Sequence, residues 1–457
     1  MSSTAPPAMV ADDGTSAGPV VRRIAGVAVP LLLVVVGTVV SWLRLPPAAR
    51  STLWAEDGRN FIGDRIADGP IAGLLTVYEG YFHVVPRIIA DLVVSLLPVD
   101  RYAVAMSAAS CVVVGLVTAL VYVTSHSVVP GVVARVVVAS ITFLVPSASI
   151  EVLGNTANLH WYFIWAAPWM LLSQPRTRRS GVLLGVVMLA AGLTEIQLIL
   201  FVPLVLLAWR RPFARPMCVA LVLSVGAQVA ATLLSPRTEN TNAISGLDSI
   251  AIGYLLNAVG GTIAATTDGV KNLVADAGLL PLVLTLLVAV AAAVYLVVRG
   301  DLRERVFAVT AAAASAGIWV AAVTLNPQEQ FEYAQTIDAG LPTFVLLRYA
   351  VVPSMFLLAV TAVAASRLWR ERGPVRLIAP LLAVLVVAVQ LSGVVTTENR
   401  RHKGPIWSVQ VDQAETACLS IDPSAVETIR TAPERRSPPS PWNVMIECDD
   451  LLDGRVE

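Results

Sequence analysis

Eleven apolar stretches, set between mostly short polar connections, leave this chain of 457 residues one class of fold. They run over 24–43, 102–124, 131–149, 159–173, 181–193, 196–208, 217–234, 279–298, 306–325, 349–366 and 377–396. A helix needs about 20 mostly apolar residues to cross the hydrocarbon of a bilayer, with a range of about 17–25. Within lipid, backbone polar groups must be satisfied inside the segment itself. The chain is 56% hydrophobic and 14% charged, where a soluble domain carries about 25% charged residues. The expected fold is therefore all-α, a polytopic membrane bundle of about 11 transmembrane helices. The stretches 181–193 and 196–208 are each short for a crossing without bilayer thinning or a break.

Arginine sets the expected orientation, because cytoplasmic loops carry the excess of basic residues. With the N-terminus inside, the inner segments collect 16 basic residues against five acids, and the outer side takes the other 16 basic residues with 27 acids. The short connections Gln174–Arg179, Trp209–Arg215, Arg299–Arg305 and Arg367–Arg372 all fall inside. Because arginines flank residues 181–208 on both sides, this region is expected to go out and back, turning near Gly192-Leu193-Thr194-Glu195; the other reading is one long tilted helix. Residues 1–20 read as a disordered cytoplasmic leader, 21–396 as the membrane domain, and 397–457 as an extracytoplasmic tail. The location this implies is the plasma membrane, crossed many times. Cys111 and Cys218 lie within spans and read as packing residues. Cys418 and Cys448 lie in the outer tail, where a disulfide is permitted.

Long connections lie on the outer side, so functional elaboration is expected there. The first outer loop, 44–101, opens with adjacent acids in Trp54-Ala55-Glu56-Asp57-Gly58-Arg59. Flanking Trp54, Gly58 and Phe61 point to an ordered loop. A carboxylate at the interface can act as general base on a sugar hydroxyl. Adjacent side chains diverge, so one acid is expected to do chemistry and the other to orient a partner; the lean is to Asp57. Arg59 beside them is a further candidate. The segment 84–97 is too short to span and reads as an interfacial helix. His83, Arg87 and Asp91 fall on one stripe of it, either as a satisfied polar face or as a phosphate site. Glu151, Asn155, Asn158 and His160 gather between two spans, with Trp161, Tyr162, Phe163, Trp165 and Trp169 behind them. These aromatics suit an interfacial belt or a sugar site. Arg348-Tyr349 stands at the outer mouth of the tenth stretch, where an arginine either snorkels or binds a lipid phosphate. Lys271 is a weaker candidate.

The chain carries no GxxxxGK[ST] phosphate loop, HExxH or CxxC, and it has four histidines and four cysteines, widely scattered. A motor driven by ATP within this chain is not expected, nor is a dedicated metal site. No cytoplasmic domain is available to hold a nucleotide sugar, so a donor should come from the membrane.

In combination, these features resemble the GT-C superfamily of integral membrane glycosyltransferases over roughly residues 24–396. The resemblant features are about eleven spans, an acidic pair just after the first, a juxtamembrane helix, and an Arg-Tyr pair at a late outer span edge. The resemblance implies a polyprenyl-phosphate sugar as donor, and a glycan, lipid or protein of the cell envelope as acceptor. Catalysis would fall to Asp57 or Glu56. His83, Arg87, Arg348, Tyr349, Arg59, Glu151, His160 and Lys271 would hold substrate or its phosphate. No cofactor is required, although some members use a divalent cation that the acids could bind. Membrane lipids are expected partners and nucleic acid is not. The 61-residue tail is far smaller than the C-terminal domain of larger members. Two other readings are a lipid-linked-glycan flippase and a non-catalytic envelope-assembly protein. A flippase would show ionisable residues along a transmembrane path, of which Glu195 is the main candidate, and an internal repeat, of which there is no sign. Convergence of Glu56, Asp57, Arg87 and Arg348 on one outer cavity would separate the enzyme from the scaffold.

Overall fold

The computed structural model describes residues 19–237, 242–395, 398–433 and 442–456, with side chains from Gly26 onward. The expected leader lies outside the described residues up to position 18, as do tail positions 397, 434–441 and 457. The chain is 73% helical. In order come α1 (Pro19–Leu43), α2 (Gly63–Leu75), α3 (Val84–Leu96), α4 (Tyr102–Thr124), α5 (Val132–Leu144), α6 (Leu159–Leu172) and α7 (Arg178–Gly192). A 3₁₀ segment, Ile196–Leu204, leads into α8 (Arg215–Leu234). Then follow α9 (Leu247–Ile263) and α10 (Thr267–Ala277), bent by 109° at their junction. The last long helices are α11 (Leu280–Arg299), α12 (Leu302–Leu325), α13 (Val351–Leu368) and α14 (Ile378–Ser392).

Among the described residues, seven helices are long and apolar enough to cross a membrane, or eight if the bent pair counts as one span. This is a multi-pass helical membrane protein. The remaining four expected spans are helical but short: α5, α6, α7 and the apolar segment Ile196–Ala208. Burial explains α6. All 14 of its residues are buried, so it is apolar on every side because it is core. Its Trp165 donates to Thr142 Oγ1 at 2.9 Å. Trp169 packs on Phe307 at 4.2 Å between centroids. These two tryptophans therefore serve neither an interfacial belt nor a sugar site. Helix α13 is the hub of the bundle, with 83% of its apolar window buried. In α1, α11 and α14 only 17–22% is buried, and Leu31, Leu287 and Leu381 face outward, as lipid-facing helices require.

Close approach of backbones sets the helix pairs. A Cβ on Gly115 of α4 would overlap Val34 and Thr38 of α1. On α7, a Cβ on Gly181 would overlap the Phe213 carbonyl, and one on Gly192 the Ser224 hydroxyl of α8. Small residues at such crossings let helices pack without a hydrophobic driving force. The two α7 contacts also fix direction. Gly181 lies level with 213 and Gly192 level with 224, so α7 and α8 run the same way. The segment between them must return, and the chain turns at 193–195 as a hairpin and not as one long helix. The arginine loops therefore share one end. Arg211 there donates to Leu172 O at 3.1 Å, and Arg210, Arg211, Asp301 and Arg303 line one shallow cavity. Glu304 is held between Arg367 and Arg370.

The tail departs from the all-α expectation. It forms α15 (Trp407–Cys418), an antiparallel pair β1 (Val426–Arg430) and β2 (Asn443–Glu447), and α16 (Cys448–Asp453). A disulfide joins Cys418 to Cys448 across 30 residues of sequence. This small unit docks on the first loop. Ala432 N–H donates to Leu53 O at 2.9 Å, Trp407 N–H to Ser51 O at 2.9 Å, and the Trp407 indole to Val99 O at 2.6 Å. Buried Arg401 reaches Thr52 O, Ser107 Oγ and Leu153 O at 3.1–3.3 Å.

Gly115→Val should lower thermal stability in detergent by an amount corresponding to about 1–3 kcal/mol or more, the usual cost of overpacking. Gly226→Val, where an added Cβ meets nothing within 4 Å, should leave the melting temperature unchanged. Equal effects of the two would contradict the packing described for α1 and α4.

Candidate functional site

At the end of the bundle opposite the arginine loops lies a cavity of about 340 Å³. Five of the residues expected from the sequence line it: Glu56, His83, His160, Arg348 and Tyr349. Arg237, Tyr78, Tyr81, Glu79 and Glu195 are among the further polar residues of its wall. A second, smaller cavity of about 220 Å³ adjoins it, lined by Trp54, Glu151, Gln328, Gln330, Arg400 and Trp442 among others. Glu56, Arg348 and Tyr349 line both, and so form the partition between the two.

The acidic pair divides its labour. Glu56 sits at the N-terminal edge of a π-helical turn, Asp57–Ile62, and faces the partition. Its Oε2 is buried with no hydrogen-bond partner in the protein, and its Oε1 is 4.0 Å from Arg348 Nη1. Asp57 points the other way and is 1% exposed. It accepts from Ala157 N–H at 2.7 Å, Thr156 N–H at 3.1 Å and the Thr156 hydroxyl. It lines neither cavity. Asp57 is thus a clamp between the first loop and the 152–158 turn, and the lean toward it as base passes to Glu56. Gly58 follows because a Cβ there would overlap Thr431 of the docked tail.

Arg348 stands at the N-terminal end of α13, and its position is set by Glu151. Arg348 Nη1 is 2.7 Å from Glu151 Oε1, and Arg400 Nη1 is 3.0 Å from Glu151 Oε2. Burial pushes the Glu151 carboxyl up, and Arg400 and Arg348 together more than reverse this, holding it below its ordinary value. Glu151 is therefore a clamp on arginines. Because Arg348 is drawn to it, Glu56 stays free of a tight ion pair. Tyr349 packs against Trp161 at 6.0 Å and under the Arg348 guanidinium at 5.7 Å.

The opposite wall is built by the hairpin of α7 and the segment Ile196–Ala208, backed by α8. His160 Nδ1 is hydrogen-bonded to Glu195 Oε2, and Glu195 Oε1 also accepts from Gln197 N–H at 2.7 Å. Glu195, at the hairpin turn, orients the imidazole as a carboxylate partner does. Gln228 of α8 holds the 78–83 turn from behind, bonding Phe82 N–H at 2.8 Å and Gly192 O at 2.9 Å. Glu79 and Gly80 take positive φ angles of 51° and 80°, which closes this turn over the cavity. Arg237 latches it through Glu79 at 2.6 Å.

The expected stripe on α3 splits. His83 reaches the cavity, its ring tilted against that of Tyr81 with centroids 4.1 Å apart. Burial, with His160 and Arg87 nearby, pushes its pKa down to about 3, so it is neutral at physiological pH and serves as a hydrogen-bonding ring, not as a cation for phosphate. Arg87 is buried away from both cavities. It pairs with Asp64 at 2.8 Å and donates to Gly73 O at 2.8 Å and Asn60 O at 3.2 Å. Asp91 pairs with Arg65 at 2.6 Å. Arg59 is exposed and lies over the Trp442 ring at 5.7 Å. Lys271, on α10, lines neither cavity.

The larger cavity is not simply basic. Its wall carries three carboxylates, two guanidiniums and two imidazoles. Glu79 and Glu195 are each committed to a partner, and Glu56 alone among the three has a buried oxygen with no hydrogen bond to the protein. Among the described residues, no three His, Cys, Asp or Glu side chains group to hold a metal ion. Comparison with protein-family models, with curated proteins and with solved structures finds no match to this chain.

Burial pushes the Asp57 carboxyl up to about 6, against the opposing pulls of Thr156, Arg401 and Ala157. A folded-state pKa above the unfolded value means that the folded protein binds the proton more tightly, so this group's contribution to stability falls as pH rises from about 4 through 6. Asp57→Asn removes that term. Thermal unfolding at pH 4, 5, 6 and 7 should show the variant gaining on the wild type up to about pH 6 and then holding level. A constant difference across the series would contradict the assignment.

Proposed function

We propose that this protein is a membrane glycosyltransferase of the GT-C kind, moving a sugar from a polyprenyl-phosphate donor to a cell-envelope acceptor on the outer face of the plasma membrane. In this reading the chain crosses about eleven times, with the short helices α5, α6, α7 and Ile196–Ala208 completing the count; the N-terminus is cytoplasmic and the tail extracytoplasmic. The observation that carries it is a single carboxylate, Glu56, with an unpartnered buried oxygen at the junction of two cavities. Transfer between two substrates requires a base that touches one of them at the point where they meet.

The donor phosphate would occupy the larger cavity, against Arg348, Arg237 and the His160 held by Glu195. The acceptor sugar would occupy the smaller one, where Trp54 and Trp442 offer aromatic faces and Gln328, Gln330 and Arg400 offer donors. Glu56 takes the proton from the acceptor hydroxyl. The oxygen forms its bond to the anomeric carbon from the side opposite the phosphate. The carbon–oxygen bond to phosphate breaks, and its electron pair leaves on the phosphate, whose charge the guanidiniums stabilise. The result is inversion at the anomeric carbon. Of the four residues whose convergence on one cavity would favour an enzyme over a scaffold, only Glu56 and Arg348 meet at the partition; Asp57 and Arg87 line neither cavity and buttress the loop that presents Glu56, so the enzyme reading rests on Glu56 and Arg348 alone.

The test uses the purified full-length protein, a set of polyprenyl-phosphate sugars, and envelope glycan from a deletion strain as acceptor. Glu56→Gln should lower transfer by about 10²–10⁴-fold, the range for a positioned general base, with unchanged melting temperature. Arg59→Gln and Lys271→Gln should stay within about twofold of wild type. Full activity in Glu56→Gln, or a deletion strain with unaltered envelope glycans, would overturn the reading.

A further inference from the structure

A second concavity has no part in the site above. It is a groove of about 1110 Å³ between α4 and α7. Its walls are aliphatic, built by Leu116, Leu120 and Val123 on α4 and by Leu183, Val187 and Ala190 on α7. At the arginine end it closes on polar groups: His126, Arg135, Arg176, Thr177 and Ser180.

The charge at that end is not compensated by the protein. The N-terminus of α7, capped by Thr177 with Ser180, lies there, and the first turn carries Arg178 and Arg179 with no acid. Basic side chains at a helix N-terminus are opposed by the macrodipole, which favours an anion in that place. Arg135 lies 4.5 Å over the Tyr122 ring, and its Nε is buried without a hydrogen-bond partner in the protein. Among the described residues, no carboxylate pairs with Arg135, Arg176, Arg178 or Arg179. The acids brought to this end are committed: Asp301 caps α12, Glu304 lies between Arg367 and Arg370, and Glu371 pairs with Arg367.

Length selects the ligand. The groove follows α7 from Ser180 to Ala190, about 15 Å at 1.5 Å per residue. That is half of the ~30 Å hydrocarbon core, the depth reached by one acyl chain whose headgroup stays at the arginine end. We propose that this groove is a binding site for an anionic phospholipid. Its phosphate rests on Arg135, Arg176 and the α7 N-terminus, and one acyl chain lies between α4 and α7. A polyprenyl carrier whose phosphate sat in the cavity of Glu56 would put its charge at the other end of the bundle and leave these arginines unmatched.

The experiment is native mass spectrometry of the full-length protein in detergent with added phosphatidylglycerol or phosphatidylcholine at equal concentration, alongside thermal unfolding in the same mixtures. The wild type should hold one phosphatidylglycerol about tenfold more tightly than phosphatidylcholine and melt higher with it. Arg135→Gln with Arg176→Gln should erase that preference. Leu183→Trp, which fills the groove and leaves the charges in place, should lose the bound lipid of either kind. Should the double arginine variant not fold, the wild-type preference and Leu183→Trp still decide the matter. Equal retention of the two lipids, a bound lipid unaffected by Leu183→Trp, stabilisation by inorganic phosphate equal to that by phosphatidylglycerol, or a co-purified polyprenyl phosphate as the occupant would each overturn the proposal.

Discussion

The buried Glu151 carboxylate, clamped between Arg348 and Arg400, is the interaction on which the rest of the cavity end of the bundle depends. Glu151 belongs to the turn before α6, Arg348 opens the central helix α13, and Arg400 begins the tail. One carboxylate therefore ties three distant parts of the chain. Buried ion pairs give little net stability, but removing one partner strands a charge at a cost of about 3–5 kcal/mol. Their value here is positional. With Arg348 bonded to Glu151 at 2.7 Å and only 4.0 Å from Glu56, Glu56 is near a guanidinium without being consumed by it. Asn399 and Arg401 complete the attachment, reaching Ser149 O at 2.6 Å and the first loop, so the tail helps hold the acid in place.

Much of this was legible in the sequence. Apolar stretches and arginine counting located the long helices, the hairpin at 193–195 and the end of the bundle where the arginine loops gather, because those signals are local and additive. Glu56, His160, Arg348 and Tyr349 could be singled out because polar groups beside apolar runs need a reason to be there. The division of roles between adjacent acids was also legible, since neighbouring side chains diverge. Which acid took which role was not. It depends on a π-helical turn and on donors at Thr156 and Ala157, about a hundred residues away.

The same reason accounts for what was missed. Arg237, Tyr78 and Tyr81 carry no motif; the two tyrosines reach the cavity through a turn held by Gln228, 146 residues from its partner Phe82, and Arg237 joins that turn from beyond α8 through Glu79. Arg87 looked like a phosphate ligand because its partner Asp64 belongs to another helix. The tail hairpin was hidden because strands of five residues give a weak period-two signal. The four short helices show the limit of hydropathy, which marks a residue as kept from water without saying whether lipid or protein covers it. In α6 the cover is protein on every side.

The central claim is geometric: Glu56 stands where two substrates meet. The measurement that tests it most directly is a cryo-electron-microscopy structure of the full-length protein with a non-transferable polyprenyl-phosphate sugar analogue and an acceptor glycan bound together. The account predicts phosphate density in the larger cavity beside Arg348, Arg237 and His160. It places the acceptor against Trp54 and Trp442, with its reacting hydroxyl within about 3 Å of the Glu56 carboxylate. Both ligands in one cavity, or a reacting hydroxyl remote from Glu56, would contradict it.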